Sequence, residues 1–170
     1  ALQWSIENNI KVLNMSFGVG KDNDTLREAI AKTHEAGITM IAAAGNDGAA
    51  TVDFPARYSE VISVGAINKN NQLADFSNYG TGLDVVAPGV NIESTWKNGQ
   101  FNKLDGTSMS APHVSGIAAL ILSMFKNTTS SKIRRAIKQG ATPLESIDQS
   151  KQGSGLVNAA ETIKLLKKQN

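Results

Sequence analysis

The sequence predicts an α/β fold with a parallel central sheet and helices on both of its faces. Three observations lead to this prediction. Short apolar runs alternate with helical patterns; the runs are continuous, as in strands buried on both faces; and glycine- or asparagine-rich turns separate the segments. With 170 residues, 41% of them hydrophobic, the chain is long enough for one domain with a core, and no repeat or domain boundary divides it.

The elements of this fold follow from the same patterns. Four apolar runs predict strands: residues 10–15, 38–44, 61–67 and 83–86. Five helical patterns predict helices: the first nine residues, then 22–37, 108–125, 130–138 and 156–167. Asp22-Asn23-Asp24-Thr25 is typical of a helix start, and Gly37 of a helix end. A hairpin is predicted over residues 91–104, with its turn at Asn98-Gly99.

Composition excludes several classes of function. The net charge of +2, with both signs interspersed, is too small to indicate a nucleic-acid partner. Basic clusters at 132–135 and 164–168 lie in helical patterns and are typical of solvated faces. No cysteine is present, which excludes disulfides, thiolate metal sites and a cysteine nucleophile. The longest apolar stretch, 116–122, is far too short to span a membrane.

Gly106-Thr107-Ser108 places a serine in the first turn of a long apolar helix. Unpaired N–H groups and the positive end of the helix dipole stabilise a developing anion there, so Ser108 is a candidate nucleophile. The position is also consistent with an N-cap serine before an ordinary helix. Other loops of interest are 15–18 and 44–48, because sites in parallel sheets form beyond the carboxyl ends of strands.

Residues 106–116, Gly-Thr-Ser-Met-Ser-Ala-Pro-His-Val-Ser-Gly, closely resemble the nucleophile motif of the subtilisin family of serine proteases. Residues 13–18 resemble its substrate-binding strand, 41–48 its oxyanion-hole segment, and 53–56 the floor of its specificity pocket. The order and spacings are similar from Trp4 to about Ala160. The resemblance implies that residues 1–170 are the C-terminal part of a subtilisin-like three-layer catalytic domain, which hydrolyses peptide bonds through an acyl-enzyme.

The resemblance also implies a role for each matching residue. Ser108 is the nucleophile, and Asn46 donates its side-chain amide to the oxyanion; taken alone, Asn46 is typical of an Asn-Asp-Gly turn. The segment 16–18 pairs with an extended peptide substrate, and 43–45 forms a wall of the primary pocket. A buried core position is the alternative for Phe17. The implied substrate-binding residues are Ser16, Phe17, Gly18, Ala43, Ala44, Gly45 and Asp53.

Asp53 matches the base of the pocket for the residue that precedes the cut. A carboxylate there favours lysine or arginine, because pairing a partly desolvated charge discriminates by roughly 2–5 kcal/mol. An exposed loop aspartate is the alternative. By the same resemblance, Phe54-Pro55 is a candidate cis peptide.

The implied chemistry requires no cofactor. Some family members hold a weak cation near the positions that match Ala56, Tyr58, Val61 and Asp84, which makes these residues a candidate calcium site. Carbonyl oxygens with one carboxylate are suitable ligands for such a hard ion. The family's main calcium site would lie in the N-terminal part, which this chain lacks.

A serine nucleophile needs a base, and the base needs an orienting carboxylate. His34 matches no catalytic position, and His113 lies five residues after Ser108, about 140° around the helix. The resemblance places the aspartate and the histidine upstream of Ala1. The chain has no initiator methionine and begins within a helical pattern. We therefore expect it to be inactive alone and to need the missing N-terminal part as well as a peptide or protein substrate.

Two other enzyme classes are excluded. An α/β-hydrolase elbow requires glycine at position 110, which is serine, and a P-loop ending at Lys21 requires glycine at position 15, which is methionine. A non-catalytic half-domain that binds peptides or has a structural role remains the alternative. Intact Ser108 and Asn46 favour the protease. By family, we expect a bacterial protein that is secreted rather than cytoplasmic.

Overall fold

The computed structural model describes residues 1–168, which form five α-helices and six β-strands. The strands are β1 (Val12–Met15), β2 (Thr39–Ala43), β3 (Val61–Ile67), β4 (Val85–Pro88), β5 (Ile92–Thr95) and β6 (Phe101–Leu104). The helices are α1 (Leu2–Glu7), α2 (Asp24–Glu35), α3 (Thr107–Met124), α4 (Ser130–Gly140) and α5 (Ala159–Lys168). Every predicted strand and helix is present, some with shifted bounds. Within residues 1–168, no helix is both long enough and apolar enough to cross a bilayer.

Strands β1 to β4 form one parallel sheet in chain order, with Val12 opposite Thr39 and Val64 opposite Val85. Every residue of β2 and β3 is buried. This burial explains why their sequences are continuous apolar runs instead of alternating ones. The β5–β6 hairpin is separate from the sheet and turns at Asn98-Gly99, as predicted.

Helices cover both faces of the sheet and enclose a hydrophobic core on each. On one face, Leu2 of α1 and Ile30 of α2 pack in the same core as Met40 of β2. On the other face, residues of α3, α4 and α5 pack with Ile41. Met40 and Ile41 belong to different cores because successive strand residues point to opposite faces. The predicted three layers are confirmed.

The ends of α2 agree with the sequence prediction. The Asn23 side chain accepts a hydrogen bond from the Leu26 N–H, and Gly37 follows the helix with a φ of 79°. An asparagine N-cap and a glycine in the left-handed region are the usual helix-end devices. Both ends of this helix can therefore be predicted from the local sequence, without information on tertiary packing.

The predicted start of the last helix at residue 156 is wrong, since α5 begins at Ala159. Leu156 exchanges two backbone hydrogen bonds with Thr142, and the Val157 N–H donates to the Val86 carbonyl. The segment is therefore extended beside β4. Leu156 and Val157 are partly buried there, and apolar residues at a helical spacing do not show whether they are covered as a helix or as an extended segment.

Candidate active site

Ser108 lies where the carboxyl ends of β1 and β2 meet the beginning of α3. Ser16 follows β1 directly, and Asn46 follows shortly after β2. Gly106, with a φ of 148°, is the N-cap of α3 and provides no side-chain cap, so Ser108 is the second helical residue. N–H groups of a first helical turn have no helical acceptor and stabilise negative charge. The structure thus brings the three predicted residues to one edge of the sheet.

Ser108 and Ser16 are joined by two reciprocal hydrogen bonds. Ser108 Oγ donates to the Ser16 carbonyl oxygen over 3.1 Å, and Ser16 Oγ donates to the Ser108 carbonyl oxygen over 2.8 Å. The helical donor to that second carbonyl would be the N–H of residue 112, which is Pro112 and has none. The proline of the motif therefore leaves a carbonyl free to fasten the end of β1 to α3.

The Asn46 side chain is oriented by the residue before Ser108. Asn46 Oδ1 accepts hydrogen bonds from the Thr107 N–H over 2.8 Å and from the Thr107 hydroxyl over 2.9 Å. Because both partners can donate, the atom that faces them must be the carbonyl oxygen, and the amide nitrogen is turned away from them. That nitrogen lies 3.8 Å from where a Cβ on Gly106 would be. The exposed Asn46 amide is thus held near the Ser108 N–H, which lies 3.6 Å from the same point.

Neither histidine is hydrogen-bonded to Ser108. Nδ1 of the exposed His113 lies 2.9 Å from the Met109 carbonyl oxygen of its own helix, and His34 is in α2. A cavity of about 360 Å³ adjoins Ser108, and its other lining residues include Ile92, Glu93 and Met109. The Ser108 hydroxyl therefore has open space beside it and no bonded base within residues 1–168.

The segment after β1 has an available backbone edge. Within residues 1–168, no backbone hydrogen bond involves Phe17 or Gly18. The chain is fixed just beyond them, where Val19 and Phe54 exchange bonds of 2.8 and 2.9 Å. Phe17 is 59% exposed, so the alternative of a core phenylalanine is wrong. Its exposure and its free backbone are what a peptide-binding strand requires.

Asp53 lies between the segments that follow β1 and β2. Its N–H donates to the carbonyl of the buried Ala44 over 2.9 Å. A Cβ added to Gly18 would lie 2.9 Å from Asp53 Cβ, and one added to Gly45 would lie 2.5 Å from Asp53 Oδ2. The two glycines therefore leave room for this carboxylate. Ala43 and Gly45 are also buried. The Phe54–Pro55 peptide is cis, as predicted.

The pKa of the Asp53 carboxyl is raised above its ordinary 3.8. Burial is the main cause, the Asp47 carboxylate raises the pKa further, and the Arg57 guanidinium opposes both. The half-buried Asp53 is therefore not the freely exposed loop aspartate of the alternative interpretation. Desolvation of this kind makes a carboxylate respond more strongly to a positively charged partner.

Asn78 is a buried residue of this region that the sequence patterns did not indicate. It is 0% exposed, and its Oδ1 accepts from the N–H groups of Asp47 and Ala49, each over 3.0 Å. Its own N–H donates to the Gly45 carbonyl over 3.0 Å. No motif contains it. An asparagine in a polar turn is too common in sequences to be recognised as part of a site.

Comparison with known proteins identifies the family. Residues 1–155 match the family described as the subtilase family, peptidase S8. The chain belongs to the subtilase family. It is 44% identical over 158 residues to a thermostable alkaline protease of Halalkalibacterium halodurans, and 43% identical over 158 residues to subtilisin Savinase of Lederbergia lenta. Each match covers 93% of this chain, but only 43% and 58% of the relative, so the chain spans about half the length of these subtilases.

Solved structures of other subtilisin-like proteases have the same architecture. The prenylagaramide maturation protease PagA matches with a TM-score of 0.90 and 32% identity, over 97% of this chain and 65% of its own. The protease domain of PatA matches with a TM-score of 0.91 and 28% identity, over 99% of this chain and 64% of its own. The α/β fold predicted from the sequence is therefore that of this family.

The candidate cation site of this subtilase does not fit a metal ion at its carboxylate. Asp84 is 1% exposed, accepts two bonds from Arg134 of 2.9 and 3.0 Å and one from Lys138 of 2.8 Å, and also bonds to the Ser63 N–H. Two protein cations already surround it, so its oxygens are not available as metal ligands. The Tyr58 carbonyl accepts from the Val61 N–H.

Side-chain clusters within residues 1–168 provide no alternative metal site. In the described part of the chain, no group of three or more histidine, aspartate and glutamate side chains is placed to hold a metal ion. Of the predicted ligands, only the backbone carbonyls of Ala56, Tyr58 and Val61 remain. Carbonyls without a carboxylate are weak calcium ligands. We derive no step in the chemistry through a metal ion.

Proposed function

We propose that this chain carries the nucleophile, the oxyanion donors and the substrate strand of a subtilisin-type serine endopeptidase. The observation that supports this proposal most directly is the fixed arrangement of Ser108 Oγ, the first-turn N–H groups of α3, and the Asn46 amide, which Thr107 turns outward. A hydroxyl beside two independent anion-stabilising donors is suited to acyl transfer.

The chemistry follows from these positions. Ser108 Oγ attacks the peptide carbonyl carbon and gives up its proton to a base. The tetrahedral oxyanion receives hydrogen bonds from Asn46 Nδ2 and the Ser108 N–H. Its collapse breaks the C–N bond, the amine leaves with the proton from the base, and an acyl ester remains on Ser108. Water then attacks the ester by the same route and restores the hydroxyl.

The base is not one of the two histidines of this chain. We infer that a histidine with its orienting carboxylate enters from outside these 170 residues and occupies the cavity beside Ser108, lined in part by Met109 and His113. Binding there would take the Ser108 hydroxyl away from the Ser16 carbonyl. Without that partner, the hydroxyl donates to a backbone oxygen that cannot accept its proton.

The substrate lies along the free backbone of Phe17 and Gly18 as an added strand. Its side chain before the cut enters between Gly18 and Gly45 and meets Asp53. Because Asp53 is only partly exposed, it favours a lysine or arginine at that position. The bacterial sources of the relatives support a bacterial origin, and a location outside the cell stays a prediction.

Variants at the nucleophile test the activity in the full-length protein that contains this chain. Ser108→Ala should abolish hydrolysis of a peptide anilide, whereas Ser123→Ala, an exposed serine on the same helix, should not change it. Asn46→Ala should lower kcat by about 10²–10³, a magnitude taken from the oxyanion asparagine of subtilisin itself. Unchanged turnover in Ser108→Ala would refute the proposal.

The basic preference has a separate test with a matched pair of variants. Asp53→Asn should lower the ratio of kcat/KM for lysine over leucine before the cut by about 30-fold, which corresponds to the lower end of the range of roughly 2–5 kcal/mol, since the charge is only partly desolvated. Asp47→Asn removes an exposed carboxylate nearby and should change that ratio much less. Equal effects of the two substitutions would mean that the preference is a general field effect and that Asp53 does not contact the substrate.

A further inference from the structure

Asn78 holds the backbone on both sides of Asn46. Its N–H donates to the carbonyl of Gly45, the residue before Asn46, over 3.0 Å. Its Oδ1 accepts from the N–H of Asp47, the residue after Asn46, over 3.0 Å, and from that of Ala49 over 3.0 Å. One residue therefore fixes three backbone groups within a five-residue stretch.

These bonds constrain the backbone on both sides of Asn46. Asn46 and Asp47 are exposed, and the segment between β2 and β3 has no regular structure around them. Two neighbouring bonds, from the Gly48 N–H to the Phe76 carbonyl and from the Tyr79 N–H to the Ala49 carbonyl, fasten the same loop to residues 76–79. Asn78 lies at the centre of this contact and is 0% exposed. Its side chain has little freedom, so the loop position it sets is well defined.

The Asn46 amide is useful only if the backbone that carries it is fixed. A donor must already lie where the oxyanion forms, because reorganisation during the reaction costs free energy. Thr107 orients the Asn46 side chain from the α3 side, and its hydroxyl also contacts the backbone of Gly45, 3.2 Å from the N–H nitrogen and 3.3 Å from the carbonyl oxygen. Asn78 supplies a further restraint on the residues after Asn46, at the N–H groups of Asp47 and Ala49.

We propose that Asn78 is a positioning residue for the oxyanion donor Asn46. The proposal rests on the proposed function of Asn46 and adds a residue 32 positions away that acts only through it. The unpaired amide nitrogen of Asn78 and the Asp53 carboxylate both lie beside Gly45, 2.1 and 2.5 Å from where its Cβ would be.

The test is a double-mutant cycle in the full-length protein. Asn78→Ala should lower kcat by about tenfold with little change in KM, because a misplaced Asn46 amide stabilises the oxyanion of the transition state less but does not weaken substrate binding. In an Asn46→Ala background, the same substitution should lower kcat less than about twofold, since its target is gone. Equal losses in both backgrounds would overturn the proposal.

A neighbouring serine provides the structural control. Ser77 is 1% exposed, accepts a hydrogen bond from the Ala66 N–H of β3 and donates one to the Asn78 carbonyl. Ser77→Ala therefore removes buried hydrogen bonds from the same segment but leaves the three bonds from Asn78 to the loop of Asn46 in place. Its effect on kcat should be the same in both backgrounds.

Hydrogen exchange separates failure of this proposal from failure of the proposed function. The amide hydrogens of Asp47 and Ala49 should exchange faster in Asn78→Ala than in the parent, and at parent rates in Ser77→Ala. This readout requires no turnover. Unchanged exchange at both amides in Asn78→Ala would overturn the positioning role even if Ser108 proves to be the nucleophile.

Discussion

At Asp53, two glycines and a partly buried carboxylate meet in one place. A side chain at Gly18 or Gly45 would collide with Asp53, and Gly45 also has a φ of 110°, which other residues rarely adopt. The two glycines therefore provide the room that the carboxylate occupies. Its raised pKa reflects the same burial.

The pH dependence of substrate preference follows from that pKa. A lysine is preferred only while Asp53 is ionised, so the preference should be lost as pH falls through a pKa that lies above the ordinary 3.8. The ratio of kcat/KM for lysine over leucine, measured from about pH 8 to about pH 4, should decline earlier than an unperturbed aspartate would allow. In Asp53→Asn this decline should vanish; if it persists, another group controls the preference.

Site residues that belong to a contiguous motif could be predicted from the sequence. Residues whose role depends on a contact with a distant part of the chain could not. Ser108 was indicated because its glycine and its helix are adjacent to it in the chain. Asn78 was missed because its bond to Asp47 spans 31 positions. Pro112 was recognised only as part of the resemblance; its role becomes visible once Ser16 is found at the carbonyl that it leaves free.

Helix α3 depends on close packing beneath its first turn. Gly89 follows β4, its carbonyl accepts from the Gly106 N–H over 2.8 Å, and a Cβ there would lie 2.6 Å from Ala66 Cβ and 2.9 Å from the Gly106 carbonyl oxygen. Real Cβ atoms do not approach other atoms so closely. The first turn of α3, and Ser108 with it, is therefore placed by a glycine from a different element.

A pair of glycine substitutions tests this packing. Gly89→Ala should destabilise the fold by about 1–3 kcal/mol, because the sheet or α3 must shift to make room. Gly116→Ala, in the middle of α3, meets nothing within 4 Å and should stabilise the fold by about 0.5–1 kcal/mol through helix propensity. Thermal unfolding of both variants measures the difference. Destabilisation of similar size in both would show that crowding at Gly89 is not the cause.

Asp84 links β4 to α4 through protein cations. Arg134→Met should cost about 2–3 kcal/mol, because a buried carboxylate loses one of its two cationic partners. Arg135→Met, at the exposed next residue, should cost little. A chelator such as EDTA should leave the Tm of the 170-residue chain unchanged. A clear fall in Tm with EDTA, reversed by calcium, would contradict the assignment of these cations in place of a metal.

Elements were predicted reliably where local rules decide them. The strands at 38–44 and 61–67 are apolar on both faces because both faces of the sheet are covered there. A continuous apolar run in the sequence indicates this burial directly. The segment at 156–158 was predicted as helix because its apolar residues also fit a helical spacing. Its pairing with Thr142 and Val86 depends on contacts between distant parts of the chain, and no local rule includes them.

Residues 1–168 hold the proposed nucleophile and its proposed oxyanion donors, with no base bonded to that nucleophile. Ser108 Oγ is bonded to the Ser16 carbonyl, a cavity lies beside it, and neither His34 nor His113 reaches it by a hydrogen bond. Removal of the catalytic histidine from subtilisin itself costs about 10⁶ in kcat. We therefore expect the chain to fold with an incomplete active site, in which Ser108 becomes reactive only when a histidine is supplied from outside these residues.

Fluorophosphonate labelling of the 170-residue chain, with the adduct located by peptide mass spectrometry, tests this claim most directly. We expect no labelling of Ser108 in the chain alone, and efficient labelling once a segment that carries the histidine and aspartate is added. His113→Ala should not alter either result. Absence of labelling in both cases would favour a non-catalytic half-domain, and efficient labelling of the chain alone would mean that a base is already present within these 170 residues.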